Sequence, residues 1–206
     1  MPVSFYDWVE DAASRGRFEM CLENPLQVNG FLTRFNNDIA ELINRFGEKA
    51  IADAIWHLYG TGGDVWEATD PSLGAARTSF MHSVKMLYEK GFAVYCSQYL
   101  GHLDHGKEAA RPLNSPCYML WDMDGIECRA LHNDEEMTQL SLEVLKHALG
   151  IPHPACQESA LHGLGQLAFS HKDQVRSIVQ HQFLQAHHIL PDPVDYAKSA
   201  AHGAVQ

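Results

Sequence analysis

Apolar residues recur along this chain at the pitch of an α-helix, and this periodicity restricts the fold more than any other feature. Between residues 33 and 46 the spacing of the apolar side chains matches one face of a helix. These side chains are Phe35, Ile39, Leu42, Ile43 and Phe46. Thr33 is expected to cap this helix and Gly47 to end it. A second stripe, from Ile51 to Leu58, follows at once and predicts a helical hairpin.

The same pattern continues towards the C-terminus and predicts one all-α domain over residues 1–206, built as an array of antiparallel helical hairpins. Asp70 and Pro71 have the residue types that start a helix, and Asn133 with Glu136 resembles a capping box. Residues 101–117 are polar and predict a surface loop. Residues 118–132 break the helical rhythm around an Asp-Gly pair, which predicts one small β-hairpin.

Composition and charge describe an acidic globular protein. Of the 206 residues, 46% are hydrophobic and 20% are charged, and 15 Lys+Arg against 26 Asp+Glu give a net charge of −11. This charge repels phosphate backbones, so we expect no nucleic-acid partner. There is no apolar stretch of about 20 residues, so we expect no membrane partner. The N-terminus does not resemble a signal peptide, and the five cysteines form no CxxC pair, so we expect a cytoplasmic protein with inert thiols.

The segment 154–184 carries the most detailed helical pattern. Its first part, PACQESALHGLGQLAF, places small and apolar residues on one face, and a polar turn at 170–173 leads into a second amphipathic helix. This segment resembles one unit of the HEAT-like α-solenoid proteins. The resemblance implies helical hairpins that stack side by side and bind other macromolecules on their exposed faces.

Three residues of this segment form a candidate binding surface. On a helical projection Glu158, His162 and Phe169 fall opposite the stripe that contains Leu164, which predicts that they face outward. Glu158 and His162 are one turn apart, so the carboxylate can orient the imidazole. Tight packing between helices, with a hydrogen-bonded core histidine, is the alternative explanation of the same pattern.

Two tryptophans add a second candidate binding region. Trp56 and Trp66 flank the glycine-rich segment 60–63, and tryptophan beside flexible backbone often marks a binding crevice. In helical proteins such residues also serve as core anchors at helix ends, and this alternative stays open.

The hexapeptide LWDMDG at residues 120–125 is similar to the first motif of haloacid-dehalogenase-type phosphatases. That resemblance implies Asp122 as the nucleophile and Asp124 as the acid/base, with magnesium between them. Members of that family fold around a parallel sheet. The helical pattern of this chain favours a plain turn instead.

Thirteen histidines are many for a chain of this length, and one cluster has the residue types of a metal site. His102, Asp104 and His105 lie within four positions, and His132 is available to complete such a site. Solvated loop histidines explain the same residues.

Taken together, these patterns favour a non-catalytic protein-interaction module, either an adaptor or an inhibitor of the immunity-protein type. Its acidic surface favours a basic protein partner, and no cofactor is expected. The alternative from another class is a metal-dependent hydrolase that uses histidine and carboxylate ligands.

Overall fold

The structure, a computed structural model, describes residues 3–14, 22, 24–100, 111–132, 134–183, 197, 199–200 and 203. The α-helices within these residues are α1 (Phe5–Ala13), α2 (Pro25–Asn37), α3 (Ile39–Phe46), α4 (Glu48–Tyr59), α5 (Val65–Ala68), α6 (Ala75–Met86), α7 (Ala93–Tyr95), α8 (Asn114–Met119), α9 (Ile126–Leu131), α10 (Glu135–Leu149) and α11 (Pro154–Ile178). A 3-10 turn covers Pro71–Leu73, and π-helical turns cover Leu87–Phe92 and Val179–Phe183. This part of the chain contains no β-strand, so the predicted all-α class is confirmed.

The stripe predicted as one helix over residues 33–46 is divided between α2 and α3, which are separated at Asp38. Helix α2 begins earlier than predicted, because Asn24 accepts a hydrogen bond from the Leu26 amide. Thr33 therefore lies inside α2 and does not cap a helix. Gly47 does end α3, with a φ of 88° that favours glycine.

The predicted β-hairpin over residues 118–132 is wrong. Its first residues belong to α8, most of its last residues form α9, and the Asp-Gly pair lies in the turn between these two short helices. Asp124 has a φ of 61°, a left-handed conformation that aspartate tolerates. The pair therefore marks a real turn, but a turn between helices. The predicted loop over 101–117 also ends early, at the start of α8; residues 101–110 lie outside the described residues.

Two predicted helix starts fall close to their observed positions. Asp70 accepts a hydrogen bond from the Ser72 amide, but the turn it caps is the 3-10 turn that precedes α6. The cap of α10 is Asp134, which accepts from the Met137 amide at 3.1 Å. Asn133, the predicted cap, lies outside the described residues.

Helix α11 spans 25 residues and bends about two thirds of the way along its length. His171 has non-helical backbone angles, at the position where the sequence predicts a turn over 170–173. On both sides of this bend, α11 lies against α10: Gly163 faces Leu145, and beyond the bend Gln174 and Ile178 line a cleft with α10. None of the described helices, α11 included, is long and apolar enough to cross a membrane.

Buried polar side chains fix how the helices pair within one continuous apolar core. Between α2, α4 and α6, the Tyr59 hydroxyl donates to Asn36, and the Asn36 amide donates to Ser83. Each of these polar groups is buried, so leaving it unpaired would cost about 1–3 kcal/mol. These hydrogen bonds therefore fix one register among the many that apolar packing alone permits.

A second buried network ties α11 to the turn that precedes α9. The Trp121 indole N–H donates to the Tyr88 hydroxyl at 2.8 Å, and the Ser159 hydroxyl donates to the Cys117 carbonyl at 2.5 Å. Tyr88 and Ser159 are 2.8 Å apart. Because the Ser159 proton is already used, the Tyr88 hydroxyl must be the donor of this middle bond. The network therefore runs in one direction from Trp121 to Cys117.

Gly163 is a position where α11 lies very close to neighbouring side chains. A β-carbon there would lie 2.6 Å from Trp121 Cγ and 2.6 Å from Leu145 Cδ2, well inside van der Waals contact. A glycine in the middle of a helix makes the protein about 1 kcal/mol less stable than an alanine would. At Gly163 this loss accompanies packing too close for a larger residue.

We predict that Gly163→Ala destabilises the protein by about 1–3 kcal/mol, because overpacking outweighs the gain in helix propensity. Gly30→Ala is the matched control, since a β-carbon at that position in α2 meets no atom within 4 Å. The control is expected to be neutral or to stabilise by up to about 1 kcal/mol. Urea unfolding of the two variants measures both effects, and equal stabilisation by both would contradict the packing described at Gly163.

Candidate functional site

The structure separates the three residues that were predicted to share one outward surface. Glu158 and His162 are buried, whereas Phe169 is 94% exposed. The prediction that Glu158 and His162 face outward is therefore wrong. The first half of α11 is covered on all sides, so that even its polar face lies against other parts of the chain.

Contacts from distant segments explain this burial. The Leu100 amide donates to Glu158 at 3.0 Å, and the Tyr118 ring lies 4.4 Å from the His162 ring. Asp122 of the LWDMDG motif lies 3.6 Å from Nε2 of His162. Two motifs that the sequence analysis treated separately thus meet in space. No periodicity within α11 contains this information, because the contacts come from other parts of the chain.

The turn that carries Asp122 and Asp124 is held against the segment between α4 and α5. The Thr61 hydroxyl donates to Asp124 at 3.1 Å, and Gly125 packs directly against the Tyr59 carbonyl. Neither aspartate follows a strand, and the described residues contain no sheet. The phosphatase resemblance of LWDMDG therefore lacks the structural setting on which it depends.

Glu127, two residues after this turn, is a buried carboxyl. Burial raises its pKa to about 7, and the carboxylates of Asp124 and Asp122 act in the same direction. The backbone amides of Glu127 and Asp124 lower the pKa, but by less. The interior thus holds an acid that titrates near neutral pH.

The predicted metal ligands His102, Asp104 and His105 lie outside the described residues. Among the residues that are described, no group of three His, Cys, Asp or Glu side chains is arranged to hold a metal ion. His132, suggested as a further ligand, is exposed at the end of α9, where Nδ1 lies 2.6 Å from the Cys128 carbonyl.

Cys128 and His132 form a thiol–imidazole pair, with 3.5 Å between Sγ and Nδ1. This pair lacks the features of a catalytic nucleophile and base. Nδ1 donates its proton to the Cys128 carbonyl, so it cannot accept the proton of the thiol. Burial and the nearby carboxylates of Glu127 and Asp124 also raise the pKa of the Cys128 thiol.

A cleft of about 770 Å³, which we call the Trp66 cleft, lies on this side of α9. Its lining residues are Trp66, Pro71, Arg77, Cys128, Arg129, His132, Asp134, Glu135 and Glu136. They come from α5, the 3-10 turn, α6, α9 and the start of α10. The cleft is therefore built from segments that lie far apart in the sequence. Among its residues, Trp66 was predicted as a binding residue and His132 as a further metal ligand.

Arg129 and Trp66 form a fixed pair on one wall of the Trp66 cleft. The Arg129 guanidinium lies 4.2 Å from the centre of the Trp66 ring. The same guanidinium donates to the Trp66 carbonyl at 2.9 Å and to the Thr69 hydroxyl at 3.2 Å. Trp66 nevertheless remains 40% exposed. Trp66 is therefore a partly exposed aromatic ring that Arg129 holds in place.

Arg77 secures the other wall. Its guanidinium is buried, binds Asp134 through two hydrogen bonds and also contacts Glu136. A bidentate arginine–carboxylate pair is directional as well as strong. Because Asp134 also caps α10, Arg77 fixes the start of α10 relative to α6.

Trp56, the other predicted tryptophan, is 38% exposed on α4 and is not among the lining residues of the Trp66 cleft. Comparison with family models, curated proteins and solved structures finds no match to this chain.

We predict that ionisation of Glu127 makes stability depend on pH. The folded protein holds this proton with a pKa of about 7, against 4.5 for the ordinary carboxyl, so stability is lost as pH rises through this interval. The loss amounts to at most about 3 kcal/mol. Glu127→Gln should remove this part of the pH dependence and should be more stable than the original protein at about pH 8.

Urea unfolding at about pH 5 and about pH 8 measures this effect. Glu10→Gln on the exposed face of α1 is the control, and it should leave the pH dependence unchanged. If Glu127→Gln retained the pH dependence of the original protein, the buried carboxyl would not be its source.

Proposed function

We propose that this chain is a non-catalytic protein-interaction module, an adaptor or an inhibitor of the immunity-protein type, which docks a basic partner protein at the Trp66 cleft. The observation that carries this proposal is the Trp66–Arg129 pair, an exposed aromatic ring fixed by a cation and by hydrogen bonds. Tryptophan and arginine dominate the binding energy of protein interfaces, and immobilised side chains lose little entropy on binding.

The acidic balance of the chain supports a basic partner. With a net charge of −11, the protein attracts positively charged surfaces at long range, which raises the association rate. The Trp66 cleft agrees with this sign, since its lining contains three carboxylates and two guanidinium groups.

The cysteine side chains give no comparable support to a catalytic function. The Cys128–His132 pair is not activated, and the thiols of Cys117 and Cys156 are buried with raised pKa values. The metal-dependent hydrolase gains no support either, because its proposed ligands lie outside the described residues.

We also propose that the helices form HEAT-like hairpins and that the protein works in the cytoplasm. The packing of α10 against α11 on both sides of the bend at His171 supports a helical hairpin formed by these two helices. Cys96, Cys117, Cys128 and Cys156 are free thiols, which suits a reducing compartment.

We predict that Trp66→Ala weakens partner binding by at least about tenfold, because truncation of a hot-spot tryptophan costs about 2 kcal/mol or more and about 1.4 kcal/mol is a factor of ten. Trp56→Ala is the matched control, since the two indoles are about equally exposed. The measurement is quantitative capture of proteins from cells of the source organism on immobilised original protein and on both variants.

A partner that is retained by Trp56→Ala and lost by Trp66→Ala supports the proposal. Circular dichroism and urea unfolding must show that both variants are folded. Binding that survives Trp66→Ala unchanged, or turnover of a substrate by the purified protein, contradicts it.

A further inference from the structure

The way in which the charges of the Trp66 cleft are already paired indicates the kind of group that the cleft accepts. Arg77 is engaged with Asp134 and Glu136. Arg129 lies over Trp66 and 3.9 Å from Asp70. Both cations of the cleft are therefore compensated by groups of the protein itself.

The carboxylates of the cleft are not compensated to the same extent. Glu135 is exposed, and it accepts a hydrogen bond from the neutral Gln139 amide at 2.8 Å. No basic side chain of the described residues forms an ion pair with Glu135. The lining contains three carboxylates and two guanidinium groups, and the Asp70 carboxylate lies close to Arg129. The cleft therefore carries an excess of negative charge.

An aromatic ring with an adjacent excess of carboxylates suits a cation. The alkyl part of an arginine or lysine side chain packs against the exposed part of the Trp66 ring, and its charged group gains from the carboxylates. An anion is repelled by the same carboxylates. A single metal ion is disfavoured, because no three ligands among the described residues converge on one point.

We propose that the Trp66 cleft anchors a cationic side chain of the partner, an arginine or a lysine, against Trp66 and Glu135. This inference rests on the proposed function, because it names the part of the partner that the interaction module recognises. Trp66 supplies the apolar surface, Arg129 holds the ring in place, and Glu135 supplies the charge.

The test uses the full chain and a defined probe, the blocked tripeptide acetyl-Gly-Arg-Gly-amide. The indole N–H signals of the tryptophans are followed by two-dimensional ¹⁵N–¹H NMR, and the Trp66 and Trp56 signals are assigned from Trp66→Phe and Trp56→Phe. We expect a saturable shift of the Trp66 signal and no comparable shift of the Trp56 signal. Acetyl-Gly-citrulline-Gly-amide, which has nearly the same shape without the charge, should shift the Trp66 signal at least about tenfold less effectively.

Glu135→Gln should weaken binding of the arginine peptide by about three- to tenfold, whereas Glu10→Gln on α1 should not change it. Equal binding of the arginine and citrulline peptides, equal shifts at both tryptophans, or no effect of Glu135→Gln would overturn the inference. These failures leave the proposed function standing if a captured partner is still lost with Trp66→Ala. If the captured partner binds Trp66→Ala as well as the original protein, both this inference and the proposed function are contradicted.

Discussion

The enclosure of the first half of α11 is the constraint on which the rest of the structure depends. A helix covered on every side cannot leave a polar group to water, so Ser159, Glu158 and His162 each require a partner inside the protein. Those partners come from segments far away in the sequence, including the Cys117 carbonyl, the Leu100 amide and Asp122. The polar side chains of one helix thus specify which distant segments must surround it, and the apolar core fills the space between them.

Local rules predicted the helices well and their surroundings poorly. The apolar stripe over 33–46, the stop at Gly47 and the turn near His171 all reflect interactions within a few residues, and the structure contains each of them in some form. The Asp-Gly pair at 124–125 was misassigned, because the same left-handed turn serves a β-hairpin and a connection between two helices. The class of the fold is a local property of this sequence, whereas the packing of its segments is not.

The candidate site shows the same limit. Trp66 stood out because it is a tryptophan beside flexible backbone, but Arg129 and Glu135 gave no signal of their own. Their roles arise only when α9 and α10 meet α5 across the cleft. Glu158 and His162 were misplaced for the opposite reason. A helical projection identifies the polar face of a helix, but it does not show whether that face contacts water or other parts of the protein.

The donor chain from Trp121 through Tyr88 and Ser159 to the Cys117 carbonyl has a consequence for how this protein can change over time. Each hydroxyl in this chain both donates and accepts a hydrogen bond. A substitution that removes either ability leaves a neighbouring buried group without its hydrogen bond, so compensating substitutions would have to arise together. Glu135 at the rim of the Trp66 cleft carries no such mutual dependence, because it is exposed and its hydrogen-bond partner is the neutral Gln139 amide. An exposed residue of this kind can therefore change singly, while the buried donor chain tolerates only coordinated substitutions.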